Sequence, residues 1–124
     1  MKVKRINYPQ LDAPVGPYSH AVKHENTLYT SGFTAYGTNA QFGTISAQTS
    51  AIFRQLNLVA DQHDITMDHL LKVTIFVSDM GDIESLRDTL IELYDAKLPA
   101  SSLIKIEALF APELLIEIEA IFAL

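Results

Sequence analysis

The stretch LLIEIEAIFA at residues 114–123 decides the fold class that the sequence predicts. Alternate residues of a β-strand point to opposite faces. One face of this strand is therefore wholly apolar, with Leu114, Ile116, Ile118, Ala120 and Phe122. The opposite face carries Leu115 and Ile121 on either side of Glu117 and Glu119. A sheet that contains such a strand has to bury its second face as well as its first.

Five further strands are predicted before this one, at residues 3–6, 21–25, 27–31, 70–78 and 101–108. They alternate in hydrophobicity or lie between turn residues. In the strand at 70–78, alternation places four side chains on one face: Leu71, Val73, Ile75 and Val77.

Two helices are predicted between the strands. Over residues 46–63 the apolar spacing is helical, with Ser46 as N-cap and a buried stripe of Ile52, Leu56, Val59 and Ala60. Over residues 83–94, Asp82 is the predicted cap, and the predicted stripe is Ile83, Leu86, Leu90 and Leu93 or Tyr94.

The resulting order, β-β-β-α-β-α-β-β, predicts a single α+β domain over residues 1–124. It has one mixed sheet of about six strands with two helices on one face. No polypeptide is left to cover the second face, so we expect an obligate homo-oligomer. The alternative is a monomer whose second face is only moderately apolar.

Composition excludes several classes of function. The 124 residues include 9 Lys plus Arg and 15 Asp plus Glu, a net charge of −6, which disfavours nucleic-acid binding. Cysteine is absent, which excludes disulfides, thiolate metal sites and a cysteine nucleophile. No signal peptide or run of roughly 18 apolar residues is seen, so we expect a cytoplasmic protein with no membrane partner. The four histidines (His20, His24, His63 and His69) lack zinc-motif spacing, and neither a metal nor a cofactor is expected.

Glu117 and Glu119 are the residues that stand out chemically. They share one strand face about 7 Å apart, on an otherwise apolar segment. A carboxylate there is costly unless it is paired, hydrogen-bonded or protonated. One interpretation is an acid that holds a ligand or activates water; the other is a pair of interface carboxylates satisfied by lysine, arginine or backbone donors.

Five segments, in this order, resemble the Rid family, also called YjgF-like or L-PSP proteins: GPYS at 16–19, SG at 31–32, KVTIFVSDM at 72–80, LPASS at 98–102 and IEIEAI at 116–121. The resemblance implies a chorismate-mutase-like fold and a homotrimer with a ligand cleft between each pair of neighbours. It also implies hydrolysis of reactive enamines and imines to 2-oxo acids and ammonia. Other members have been described as ribonucleases, translation inhibitors or chaperone-like proteins.

Carried over by residue, the resemblance makes Tyr18 a wall of the cleft, places Ser31 and Gly32 beside the ligand and lets Glu117 hold a water or polar group. Three further positions depart from the family: Phe33 replaces a frequent polar residue, Leu103 a frequent cysteine, and Ser101 the arginine that grips the substrate carboxylate. Arg87 stands where the family often has asparagine and is a candidate replacement for that charge; Lys105 is a weaker one.

These residues predict a Rid-family homotrimer that binds a small carbonyl, enamine or imine metabolite and hydrolyses 2-imino acids poorly or not at all. One alternative is an active deaminase whose different substrate is anchored by Arg87. Another is a metabolite-sensing or chaperone-like protein without catalysis. A ribonuclease ranks last, because the chain is acidic and has no basic stripe.

Overall fold

The last strand of the chain lies inside the sheet rather than at its edge. The computed structural model describes residues 2–124. Its strands are β1 (Val3–Ile6), β2 (Ala21–His24), β3 (Thr27–Thr30), β4 (Leu70–Val77), β5 (Ala100–Lys105) and β6 (Ile116–Ala123), and its helices are α1 (Ile45–Gln62) and α2 (Ile83–Tyr94). A short 3-10 helix covers Met67–His69. The strand order is β1-β2-β3-β6-β4-β5. Only β4 and β5 run parallel among these strands, so the sheet is mixed.

Alternation along β6 builds the core as predicted. Ile116, Ile118, Ala120 and Phe122 are buried, whereas Glu117, Glu119 and Ile121 are not. The buried row joins the predicted stripe of α1 and Leu86 of α2 in one apolar cluster. Both helices therefore cover the same face, and the predicted α+β fold is confirmed.

A β-bulge changes the predicted face of one residue in β4. Leu70 pairs with Phe122 and Lys72 with Ile121, so two steps along β4 match one step along β6. Leu71 is the extra residue and is 49% exposed. The prediction that Leu71 shares a face with Val73 was wrong, because the bulge shifts the alternation by one residue.

The predicted position of the helix cap is wrong for α1 and confirmed for α2. Helix α1 begins at Ile45, and the cap is Thr44, whose hydroxyl accepts a hydrogen bond from the Ala47 N–H at 3.2 Å. Ser46 lies inside the helix and donates to the Ser85 carbonyl at 3.3 Å, so its assignment as N-cap was wrong. Asp82 precedes α2, but its side chain makes no capping hydrogen bond.

One buried amide fixes the loops near the start of β6. Gln48 is completely buried on α1. Its Nε2 donates to the carbonyls of Gln41, Gly43 and Glu113 at 3.2, 3.2 and 2.9 Å, and its Oε1 accepts from the Leu115 N–H at 2.9 Å. The loop before α1 and the turn before β6 are thus held to the same helix.

The second face of the sheet is mixed in character. Tyr29 and Ile104 are 45% and 43% exposed there. The same face carries Lys72, whose Nζ donates to the Ser102 hydroxyl at 3.0 Å. All six residues of the edge strand β5 are exposed. Among the described residues, no helix combines the length and apolar character needed to cross a membrane.

Candidate functional site

A cavity of about 1220 Å³ opens where the chain leaves the end of β3. Its walls are the arm at residues 10–18, the segment 31–39, one side of α1, Phe110, and the two glutamates of β6. Five residues predicted from the sequence line this one cavity: Tyr18, Ser31, Gly32, Phe33 and Glu117. Their role in ligand binding stays a prediction.

The backbone on both sides of Gly32 is tied down. The Ser31 N–H donates to the His20 carbonyl at 2.9 Å, and the Ser31 hydroxyl donates to the Ser19 carbonyl at 2.6 Å. Phe33 exchanges two hydrogen bonds with Ile118, at 2.8 and 3.0 Å. Gly32 is thereby pressed against β6.

The position of Glu117 favours glycine at residue 32. A Cβ atom added to Gly32 would lie 2.6 Å from Oε2 and 2.7 Å from Cδ of Glu117, well inside van der Waals contact. A glycine here lets the backbone lie alongside the carboxyl group. This close approach places a backbone segment and an acid side by side in the cavity wall.

The Glu117 carboxyl group is half-buried, and burial raises its pKa; the neighbouring charge of Glu119 raises it further. Within residues 2–124, neither ion pair includes Glu117, and no hydrogen bond to its side chain is formed. The described part of the chain thus supplies no lysine, arginine or backbone donor that pairs with the Glu117 carboxyl group. Such a carboxyl group is suited to take up and release a proton.

His20 anchors the arm that carries Tyr18. Its Nδ1 accepts from the Tyr8 N–H at 2.9 Å, and its Nε2 lies 2.8 Å from the Asp12 carbonyl. These partners require a neutral ring with the proton on Nε2. The ring also stacks on Tyr8 and meets Phe33 edge-on. His20 therefore holds the arm against the segment that contains Gly32.

The other predicted site residues lie away from the cavity of their own chain. Arg87 forms an exposed ion pair with Glu84 at 2.9 Å on α2. Ser101, Leu103 and Lys105 lie on the edge strand β5, where they pair with Val73, Ile75 and Val77 of β4. Strands β4 and β6 lie between β5 and β3. None of these four residues lines the cavity of its own chain.

Besides residues 10–15 of the arm and the polar residues of the segment 34–39, two groups of cavity residues were not predicted from the sequence. Four lie on α1: Ala51, Arg54, Gln55 and Leu58. The other group is the aromatic pair Tyr36 and Phe110, whose ring centroids are 5.1 Å apart. The four residues of α1 follow the spacing i, i+3, i+4 and i+7, so the sequence could have indicated that they share one face of the helix.

The fold and the motifs around the cavity are those of a Rid-type protein. A solved structure of a Rid-family protein of unknown function from Yersinia pestis is 26% identical, covers 99% of this chain and 100% of that one, and has a TM-score of 0.86. The family model described as Endoribonuclease L-PSP matches residues 10–124, and the chain belongs to this family.

Curated relatives match over nearly the whole length. A 2-iminobutanoate/2-iminopropanoate deaminase of Dermatophagoides farinae is 31% identical over 113 residues, 88% of each protein. A RutC family protein of Buchnera aphidicola is 28% identical over 122 residues, 96% of this chain and 95% of the relative. The resemblance drawn from the five sequence segments is confirmed.

Proposed function

We propose that the chain forms a homotrimer that binds a small carbonyl, enamine or imine metabolite in this cavity and hydrolyses 2-imino acids weakly or not at all. The observation that carries the proposal is the contact between Gly32 and the unpaired Glu117 carboxyl group, beside Tyr18. The deaminase among the relatives supports the choice of ligand class.

The raised pKa of Glu117 fits imine hydrolysis. Water adds to the carbon of the C=N bond, giving a carbinolamine, and ammonia then leaves as the carbonyl forms. Glu117 accepts a proton from the attacking water and gives it to the nitrogen, which completes the carbinolamine. It then accepts the hydroxyl proton and passes that to the nitrogen as the C–N bond breaks, so the carboxyl group ends in its starting state. General acid–base catalysis of this kind contributes roughly 10²- to 10⁴-fold.

Weak hydrolysis of 2-imino acids follows from Ser101. An arginine there would grip a carboxylate through two charge-assisted hydrogen bonds, whereas serine offers one neutral hydroxyl. Loss of such a pair costs about 2–5 kcal/mol in a desolvated site. That corresponds to roughly 30- to several-thousand-fold in affinity or rate.

The trimer is supported by the surfaces that one chain leaves open. The second face of the sheet exposes Tyr29 and Ile104, and β5 is exposed along its whole length. Covering them with two further copies would also bring a neighbour's Ser101 toward the cavity. Light scattering coupled to size-exclusion chromatography should give three times the chain mass of 13.8 kDa; a single-chain mass would contradict this part of the proposal.

The catalytic part is tested with an imine generated in place by a pyridoxal-phosphate dehydratase, with release of the 2-oxo acid followed over time. We expect the wild-type protein to stay near the spontaneous rate and Ser101→Arg to raise it. Glu117→Gln added to Ser101→Arg should remove the gain. A fast wild-type protein would contradict the proposed impairment.

A second measurement keeps ligand binding separate from catalysis. Titration of the wild-type protein with 2-oxobutanoate, followed by NMR, should shift resonances of Gly32 and its neighbours. Absence of any shift with this ligand or with longer carbonyl compounds would contradict the proposed binding function.

A further inference from the structure

One face of helix α1 forms part of the cavity wall. Ala51, Arg54, Gln55 and Leu58 line it at i, i+3, i+4 and i+7. The Gln55 amide donates to the Thr34 carbonyl at 2.9 Å and to the Ala51 carbonyl at 3.3 Å. The segment 31–39 is thereby held to this face of α1. Arg54 is next to Gln55 in the sequence and is exposed.

Arg54 is the fixed cation of the cavity as lined by residues 2–124. The acids in the lining are Asp12, Glu117 and Glu119, and His20 is held neutral by its two partners. The two ion pairs of the described residues, Arg87–Glu84 and Lys97–Asp68, leave Arg54 out. A guanidinium with open donors is suited to bind a carboxylate through two hydrogen bonds.

Asp12 is the internal competitor for Arg54. Its carboxylate lies against the opposite wall, where a Cβ on Gly37 would be 2.5 Å from Oδ2. A pairing of Arg54 with Asp12 would close the arm over α1 instead of binding a ligand, so the test has to separate the two roles.

Arg54 and Glu117 lie on opposite sides of the sheet. Ile116 and Ile118 face the helices, so Glu117 points away from α1. Arg54 and Glu117 both line the same cavity, as do Ser31, Gly32 and Phe33 at the end of β3. Packed layers are about 10 Å apart, and the sheet itself separates the two groups, so we expect a 2-imino acid, whose carboxylate adjoins its reactive carbon, to be too short to reach both.

We propose that Arg54 binds the carboxylate of the ligand, and that the ligand is an oxo or imino acid whose acid group lies several bonds from its reactive carbon. This inference rests on the proposed function of the cavity. It adds a second polar end to the site and assigns the substrate class as distal oxo or imino acids.

The experiment compares four probes by calorimetric titration: 2-oxobutanoate, 4-oxopentanoate, 6-oxoheptanoate and the neutral ketone 2-heptanone. The proteins are the wild type, Arg54→Gln, Arg54→Lys and Asp12→Asn. Arg5→Gln, an exposed cation on β1 outside the cavity, is the matched control. Melting curves check that each variant is folded.

We expect 6-oxoheptanoate to bind more tightly than 2-oxobutanoate and 2-heptanone. Arg54→Gln should weaken the distal acid about 10- to 100-fold and leave the ketone unchanged, and Arg54→Lys should retain part of the affinity. In the wild type alone, added salt should weaken the distal acid but not the ketone, which tests the charge without any variant.

Three other outcomes of the titrations would contradict either the proposed function or this inference. If no probe binds the wild type, the proposed function itself is overturned. If the probes bind but Arg54→Gln and salt change nothing, the cavity binds carbonyl compounds without Arg54, and this inference alone is overturned. The inference is also overturned if Arg54→Gln and Asp12→Asn weaken the ketone and the acids alike, since the two residues then act by holding the arm.

Discussion

Replacing Gly32 with alanine tests the contact on which the candidate site is built. Gly32 has no positive φ, so its backbone accepts alanine. The new Cβ would lie 2.6 Å from Glu117 Oε2, whereas ordinary contact begins at 3.4 Å, so the carboxyl group has to move by about 0.8 Å. We expect Gly32→Ala to be destabilising through a strained Glu117 rotamer.

The magnitude follows from two opposing effects. Alanine restricts the unfolded chain and stabilises by about 0.4–1 kcal/mol. An off-rotamer side chain costs about 0.5–1.5 kcal/mol, and the Glu117 Cγ at 2.9 Å makes the upper end of that range appropriate. In a Glu117→Ala background the clash is gone, and the same substitution should become stabilising.

Urea unfolding of the four proteins in this double-mutant cycle measures the coupling. The effect on the unfolded chain cancels in the cycle, so we expect a coupling free energy between Gly32 and Glu117 of about 1.5 kcal/mol, the cost of the strained rotamer. Gly81→Ala is the matched control: its Cβ would lie 3.3 Å from Asp79 Oδ1, far from the cavity, so Glu117→Ala should not alter its effect. Additive effects of Gly32→Ala and Glu117→Ala, within about 0.5 kcal/mol, would refute the reasoning.

Three further predictions concern stability. The pKa of Glu117 is raised in the folded state above its ordinary value of 4.5, so the folded protein binds the proton more tightly and loses stability as pH rises through the interval above 4.5. Glu117→Gln should be more stable than wild type at pH 7 and have a flatter stability–pH profile in that interval; an unchanged profile would contradict the assignment. Gln48→Leu removes the buried hydrogen bonds to three carbonyls and leaves the Leu115 N–H without a partner. The free energy of unfolding in urea should therefore fall by about 2–4 kcal/mol, and a fall of less than about 1 kcal/mol would contradict the role of Gln48 in holding the two loops. Tyr8→Phe removes the 2.7 Å bond to His63 and should cost about 1 kcal/mol in thermal unfolding, with an unchanged midpoint as the contrary result.

The fold was predictable because its strongest signals are local. Strict alternation in β6 and helical spacing in α1 and α2 each identify a buried face without knowledge of the neighbours. The bulge at Leu71 was not predictable, since it depends on the register of β4 against β6. Thr44 and Ser46 both carry a hydroxyl suited to an N-cap, and only the backbone geometry of the preceding loop chooses between them.

The candidate site was predictable in part, and for a different reason. Tyr18, Gly32 and Glu117 belong to short segments with a family resemblance. Arg54 belongs to none of them, and it lines the same cavity as the arm at residues 10–18. The path of this arm depends on contacts distant in sequence, such as the bond from His20 to Asp12.

The exposed edge strand β5 would connect the proposed assembly of chains with ligand binding in the cavity. All six of its side chains are exposed, and within residues 2–124 it pairs with β4 alone. An open edge of this length invites another chain, and a chain docked there holds Ser101 and Leu103 against its neighbour. In the proposed trimer, dilution that separates the chains would remove those residues from the neighbouring cavity and expose β5 to solvent. Ligand affinity measured on very dilute samples of such a trimer would then be lower than that of the concentrated protein, and slow precipitation would accompany the loss.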